Sequence, residues 1–168
     1  IDFYPTIKNI IGHNNENLKL DGIDLNPIFE GNEIKKRALF FHFPIYLEAY
    51  DVHNDNGTDP LFRTRPGSVV IKDNWKLHHY FEDNKIELYN IVKDVSESKN
   101  LSEINKEKTK ELLDDLTKWR EDNNAPIPSE KNPNYNQKFV DSLNYLIKNK
   151  KIKGKVNKNE KIDDKNPF

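Results

Sequence analysis

The chain has 168 residues, 27 basic against 28 acidic side chains, a formal net charge of −1, and 35% hydrophobic and 33% charged residues. No run approaches the ~18 consecutive apolar residues of a membrane-spanning helix. The absence of Cys excludes disulfides, thiolate metal sites and a Cys nucleophile, and the near-neutral balance gives no reason to expect a nucleic-acid partner. The length suits one domain with a tail. A chain opening on Ile1, with no Met and no leader pattern, reads as processed or cut from something larger.

The first predicted element is a helix opening at Asp2-Phe3-Tyr4-Pro5-Thr6-Ile7, with an acid and then Pro in the first turn. Ile7, Ile10 and Ile11 keep helical spacing, and Gly12 stands where a left-handed residue would stop it. Asp21-Gly22 is a turn, and Asn26 to Gly31 a short capped turn of helix. Ala38-Leu39-Phe40-Phe41-His42-Phe43, closed by Pro44, predicts a core strand. Residues 44–67 read as a long loop with Pro44, Pro60 and Pro66 and the polar tip Asp55 to Asp59; such loops carry function or move.

Three strands follow: 68–72, 75–81 and 85–89, joined by the turns Asp73-Asn74 and Glu82-Asp83-Asn84. This is an antiparallel meander in which Trp75, Leu77 and His79 face one way and Lys76, His78 and Tyr80 the other. Leu112, Leu113, Leu116 and Trp119 form the apolar stripe of a helix from about Asn105 to Asn123, with Asn105 as N-cap. Pro126, Pro128 and Pro133 make the next stretch an extended strap, and Phe139, Leu143, Leu146 and Ile147 suggest one short terminal helix. The fold class is α+β: a small antiparallel sheet of about four strands with a long amphipathic helix on one face. Residues 137–168 hold nine Lys against four acids, a net of +5. From Lys148 onward little apolar recurs, predicting a solvated, partly disordered tail, or a segment that meets an anionic partner.

The residues themselves show no active site. His78 and His79 are adjacent, so on a strand they point to opposite faces and cannot share a metal. The six Gly are scattered, leaving no phosphate loop. Asp114-Asp115 and Asp163-Asp164 read as solvated faces rather than acid–base pairs.

The order of the pieces nevertheless resembles a family. Asp2 to Ile7 followed by Leu20-Asp21-Gly22-Ile23-Asp24-Leu25 looks like the D-x-x-P-T … L-D-G-x-x-L passage late in sulfatases, of the alkaline-phosphatase-like superfamily. The resemblance continues through Leu39 to Tyr46, Arg63 to Lys72, Trp75-Lys76-Leu77, Glu87-Leu88-Tyr89-Asn90, Asp94 and Asn100-Leu101. It extends along the long helix to Asn124-Ala125-Pro126. It covers about residues 1–136, with 1–37 resembling the end of the catalytic domain and 137–168 left over as the tail.

The resemblance implies a sulfatase C-terminal subdomain that helps shape the pocket for a sulfated carbohydrate. It implies a formylglycine nucleophile, made in a Cys/Ser-x-Pro-x-Arg motif, and Ca²⁺ ligands in a partner N-terminal catalytic domain. No Ser here begins such a motif, so no catalytic or metal residue is expected in this chain, which alone should hydrolyse nothing. It also implies a periplasmic or secreted location.

The expected substrate-binding residues are His42, in the family's His-x-Pro position, and Arg63 and Arg65 before Pro66. An imidazole can hydrogen-bond a sugar hydroxyl or sulfate oxygen, and Arg offers a fork matched to sulfate. The bland alternatives are a satisfied core histidine and solvated or ion-paired arginines. Lys72 stands where the family often has Arg. Two other readings remain open: a stand-alone carbohydrate- or polyanion-binding or docking module, and part of a related phosphodiesterase.

Overall fold

The computed structural model describes residues 1–13, 18–48, 62–130 and 132–149. The chain divides into two compact units, residues 1–37 and the remainder from Ala38.

In the first unit α1 (Phe3–Ile10) and α2 (Asn26–Phe29) are tied by a few specific bonds. Asp2 does not cap α1, as its position suggests; its carboxylate instead accepts from the Ile23 N–H at 3.0 Å and from the Arg37 guanidinium. Those partners, Arg37 first, lower the Asp2 pKa. Buried Thr6 donates to the Asp2 carbonyl at 2.6 Å and accepts from the Leu25 N–H at 3.0 Å. Gly12, at φ +66°, takes the left-handed turn expected after α1. Gly22 is required for a different reason: a Cβ there would sit 2.1 Å from the Ile1 carbonyl oxygen.

In the second unit β1 (Leu39–Phe43), β4 (Gly67–Lys72), β5 (Trp75–Tyr80) and β6 (Ile86–Asn90) form an antiparallel sheet in the order β1-β4-β5-β6. Helix α3 (Lys106–Asp122) lies over β4 and β5, so the architecture is the α+β arrangement that the sequence predicts. The pleat puts Phe40, Val70, Leu77 and Leu88 in one row beneath the helix. Val70, Leu77, Leu88, Leu112 and Leu116 are the fully buried centre, with Phe40, Trp75 and Trp119 packed around them. Trp119 stacks on Phe40 at 5.2 Å.

Short polar segments fix the ends. Asn105 caps α3, accepting from the Lys108 N–H. The Asn100 side chain accepts from the N–H groups of Leu88 at 3.0 Å and Ser102 at 2.9 Å, and the Leu101 N–H donates to the Leu88 carbonyl at 2.8 Å. These bonds occupy backbone groups of β6 that an edge strand would otherwise leave open. Lys72 pairs with Glu111 and Asp115 of α3.

One expectation needs correcting. The 44–67 segment is not wholly loop: β2 (Leu47–Glu48) and β3 (Phe62–Thr64) pair antiparallel across its base. The rings of Tyr46 and Phe62 meet there at 4.7 Å, a cross-strand contact that the Pro-rich composition masks. The polar tip at Asp55 to Asp59 lies outside the described residues. The expected short terminal helix is α4 (Gln137–Lys148), capped by Asn136 and burying Leu143 and Ile147. The tail beyond it lies outside the described residues.

Candidate functional site

The row next to the core row is polar. His42 on β1, Ser68 on β4 and His79 on β5 lie side by side in register, on the face covered by α3. His42 Nε2 is 2.9 Å from the Pro126 carbonyl, which can only accept, so Nε2 carries the proton. Nδ1 then accepts from the Ser68 hydroxyl at 2.8 Å. Both ring nitrogens of His42 are thus used inside the chain, and neither is left over for a sugar or sulfate oxygen in this arrangement. The Ser–His contact has the bonding of a nucleophile and base, but Ser68 is only 1% exposed, so no substrate carbonyl or sulfate reaches it.

His79 has the same tautomer for a different reason. Its Nδ1 accepts from Arg120 Nη1 at 3.0 Å, and its Nε2–H donates to the Asn84 side-chain oxygen at 3.0 Å. Arg120 is 5% exposed and also donates to Thr117 Oγ1 at 3.0 Å. Its Nε has no partner, and its guanidinium lies 5.6 Å from the centre of the Phe81 ring. Burial, followed by the Arg120 charge, holds the His79 pKa below the usual imidazole value against the Asn84 hydrogen bond. Sequence reading placed His79 beside Leu77 but gave neither residue a role. The signal was available: Arg120 falls four residues after Leu116 on the apolar stripe, and His79 two after Leu77 on the inward face.

The opposite face of the sheet carries Lys76, His78, Tyr80, Glu87 and Tyr89. Glu97 binds Lys76 at 2.7 Å and His78 at 3.3 Å, and Tyr89 donates to Glu87 at 3.0 Å. Burial, with Lys76 adding to it, lowers the His78 pKa; burial and Glu87 raise that of Tyr89. Arg65 belongs to this side, its guanidinium 4.5 Å over the Tyr80 ring. It bonds Asp83 at 3.0 Å and Glu82 at 3.4 Å, and the side chain is 15% exposed. Arg63 sits on β3 with an exposed side chain. His42 thus lies on the sheet face covered by α3, whereas Arg65 packs over Tyr80 on the opposite face.

Among the described residues no three His, Asp or Glu side chains are grouped to hold a metal ion. Among the described residues no helix is long and apolar enough to cross a membrane.

No family model matches the chain. A curated protein named sulfatase from Formosa agariphila is 32% identical over 142 residues, covering 75% of this chain and 23% of the relative. Two solved structures share the fold, a candidate sulfatase from Bacteroides thetaiotaomicron and a 2-O GAG sulfatase. Each has a TM-score of 0.55, 27% identity, and coverage of 79% of this chain and 27% of its own. The chain spans about a quarter of the length of these relatives.

Proposed function

We propose that this chain, a sulfatase C-terminal region in sequence and fold, works as one part of an enzyme that hydrolyses sulfate esters of a carbohydrate. The observation that carries the reading is the double likeness, in sequence and in backbone, of most of the chain to one stretch of sulfatases. The 2-O GAG sulfatase among the similar structures supports a sulfated glycan as substrate. In this reading an N-terminal catalytic domain is the partner, formylglycine and Ca²⁺ belong to that domain, and the whole acts in the periplasm or outside the cell.

The chain's own part is to build a wall of the substrate pocket. Arg63, exposed on β3, presents a fork to sulfate oxygens. Arg65 is largely committed to Asp83 and Glu82 and anchors the base of the arm formed by β2 and β3. His42 contributes by tying the strap at Pro126 to β1 and β4. A docking role is the second reading, favoured by the exposed apolar run Phe41, Phe43, Ile45, Tyr46 and Leu47.

The test is sulfate release from sulfated oligosaccharides by the 168-residue chain and by a polypeptide in which a formylglycine-bearing domain precedes it. The chain alone should release none. In the longer enzyme Arg63→Ala should raise KM about 10-fold with kcat little changed, as loss of a charged binding contact does. Sulfate release by the chain alone, or an unchanged KM, contradicts the reading.

A further inference from the structure

We propose that His79 is a positioning residue. Held neutral between Arg120 and Asn84, it fixes the β5–β6 turn against which Arg65 is anchored, and its protonation loosens the Arg65 end of the arm. The pocket role of that arm rests on the function proposed above; the coupling itself lies wholly within this chain.

Three sets of bonds meet at the turn formed by residues 81–85. Arg65 bonds Asp83 and Glu82 from one side, and the Phe81 N–H donates to the Pro66 carbonyl at 3.0 Å. From the other side His79 Nε2–H reaches the Asn84 oxygen. Asn84 is left-handed at φ +57°, the turn conformation that Asn adopts more readily than other non-glycine residues. The ring of Phe81 packs edge-on to His79 at 5.5 Å. The turn is therefore the shared support of the Arg65 anchor and of the His79–Arg120 contact with α3.

That contact has only one protonation state. An imidazolium at His79 would turn Nδ1–H against the Arg120 guanidinium at 3.0 Å, replacing a hydrogen bond with two donors of like charge. The charged and titratable groups around His79 are Arg120 from α3, Glu82 and Asp83 from the turn, and His42 from β1 beyond Ser68. Glu82 and Asp83 are committed to Arg65, and among the described residues no carboxylate pairs with Arg120. Relief on acidification comes from moving the His79 ring, and with it Asn84 and the turn.

The experiment is an NMR titration of the full 168-residue chain from about pH 7.5 to about pH 5, the range in which imidazoles titrate. It reads the His79 ring nitrogens, the amides of residues 81–85 and the Arg65 side chain. At the upper pH the ring should show the Nε2–H tautomer. The turn amides and Arg65 should then shift with the midpoint of His79, and His79→Gln, which bonds but does not titrate, should remove that transition. An Nδ1–H tautomer, or a His79 titration that leaves the turn still, overturns the proposal, as does an unchanged acid transition in His79→Gln. Should the variant fail to fold, the wild-type tautomer and shared midpoint decide alone. In the longer enzyme, His79→Gln should flatten the acid limb of the KM profile. A shared midpoint with an unmoved KM keeps the coupling and rejects the arm as a substrate wall.

Discussion

Arg120 is a buried cation held by neutral acceptors, a His nitrogen and a Thr hydroxyl, over an aromatic ring. Burial drags its pKa below the usual guanidinium value, yet it stays charged because an Arg titrates far above neutrality. Replacing it by Met would fill similar space but leave His79 Nδ1 without a donor. Arg120→Met should cost about 1–3 kcal/mol in urea unfolding, the usual penalty for an orphaned buried acceptor; a stability gain would show that the cation is a burden instead. The inward histidines were half legible: alternation on β5 places His79 on the core face, but nothing local in the sequence says that Arg120 would meet it from 41 positions away. His42 shows the converse limit. Its place before Pro44 suggested a substrate contact, and nothing local in the sequence indicates its bonds to Ser68 and Pro126, which lie far along the chain.

At the scale of elements, α3 was the most legible, because Leu112, Leu116 and Trp119 repeat at helical spacing and Asn105 is a strong cap residue. Its packing on Val70, Leu77 and Leu88 makes it the keystone of the second unit. Leu116→Ala removes a fully buried side chain and should destabilise that unit by about 2–5 kcal/mol. A loss well under about 1 kcal/mol in thermal or urea unfolding would mean that α3 is peripheral. The β2–β3 pair was illegible since two- and three-residue strands are too short to show alternation, and only cross-strand contact reveals them. The sheet order β1-β4-β5-β6 could be half read: the meander follows from its tight turns, but β1 pairs with β4 across a long excursion that no local pattern specifies.

For the whole molecule, pH ties the scales together. His78 and His79 both have folded-state pKa values below the unfolded imidazole, about 6.5. Their contribution to stability is therefore complete above that value and is lost as pH falls through the folded values. The carboxyls of Asp83 and Glu87 are also lowered: burial opposes the charge, but bonds to Arg65 and Lys85 outweigh it. Their contribution goes at still lower pH. Functionally, the chain covers only 23% of the length of its curated relative. We propose that a sulfatase catalytic domain completes it. Sequencing the coding DNA 5′ of the Ile1 codon tests this most directly. The expected result is an in-frame Cys- or Ser-x-Pro-x-Arg motif with acidic metal ligands. An immediately preceding stop codon, or an unrelated domain in frame, would contradict it.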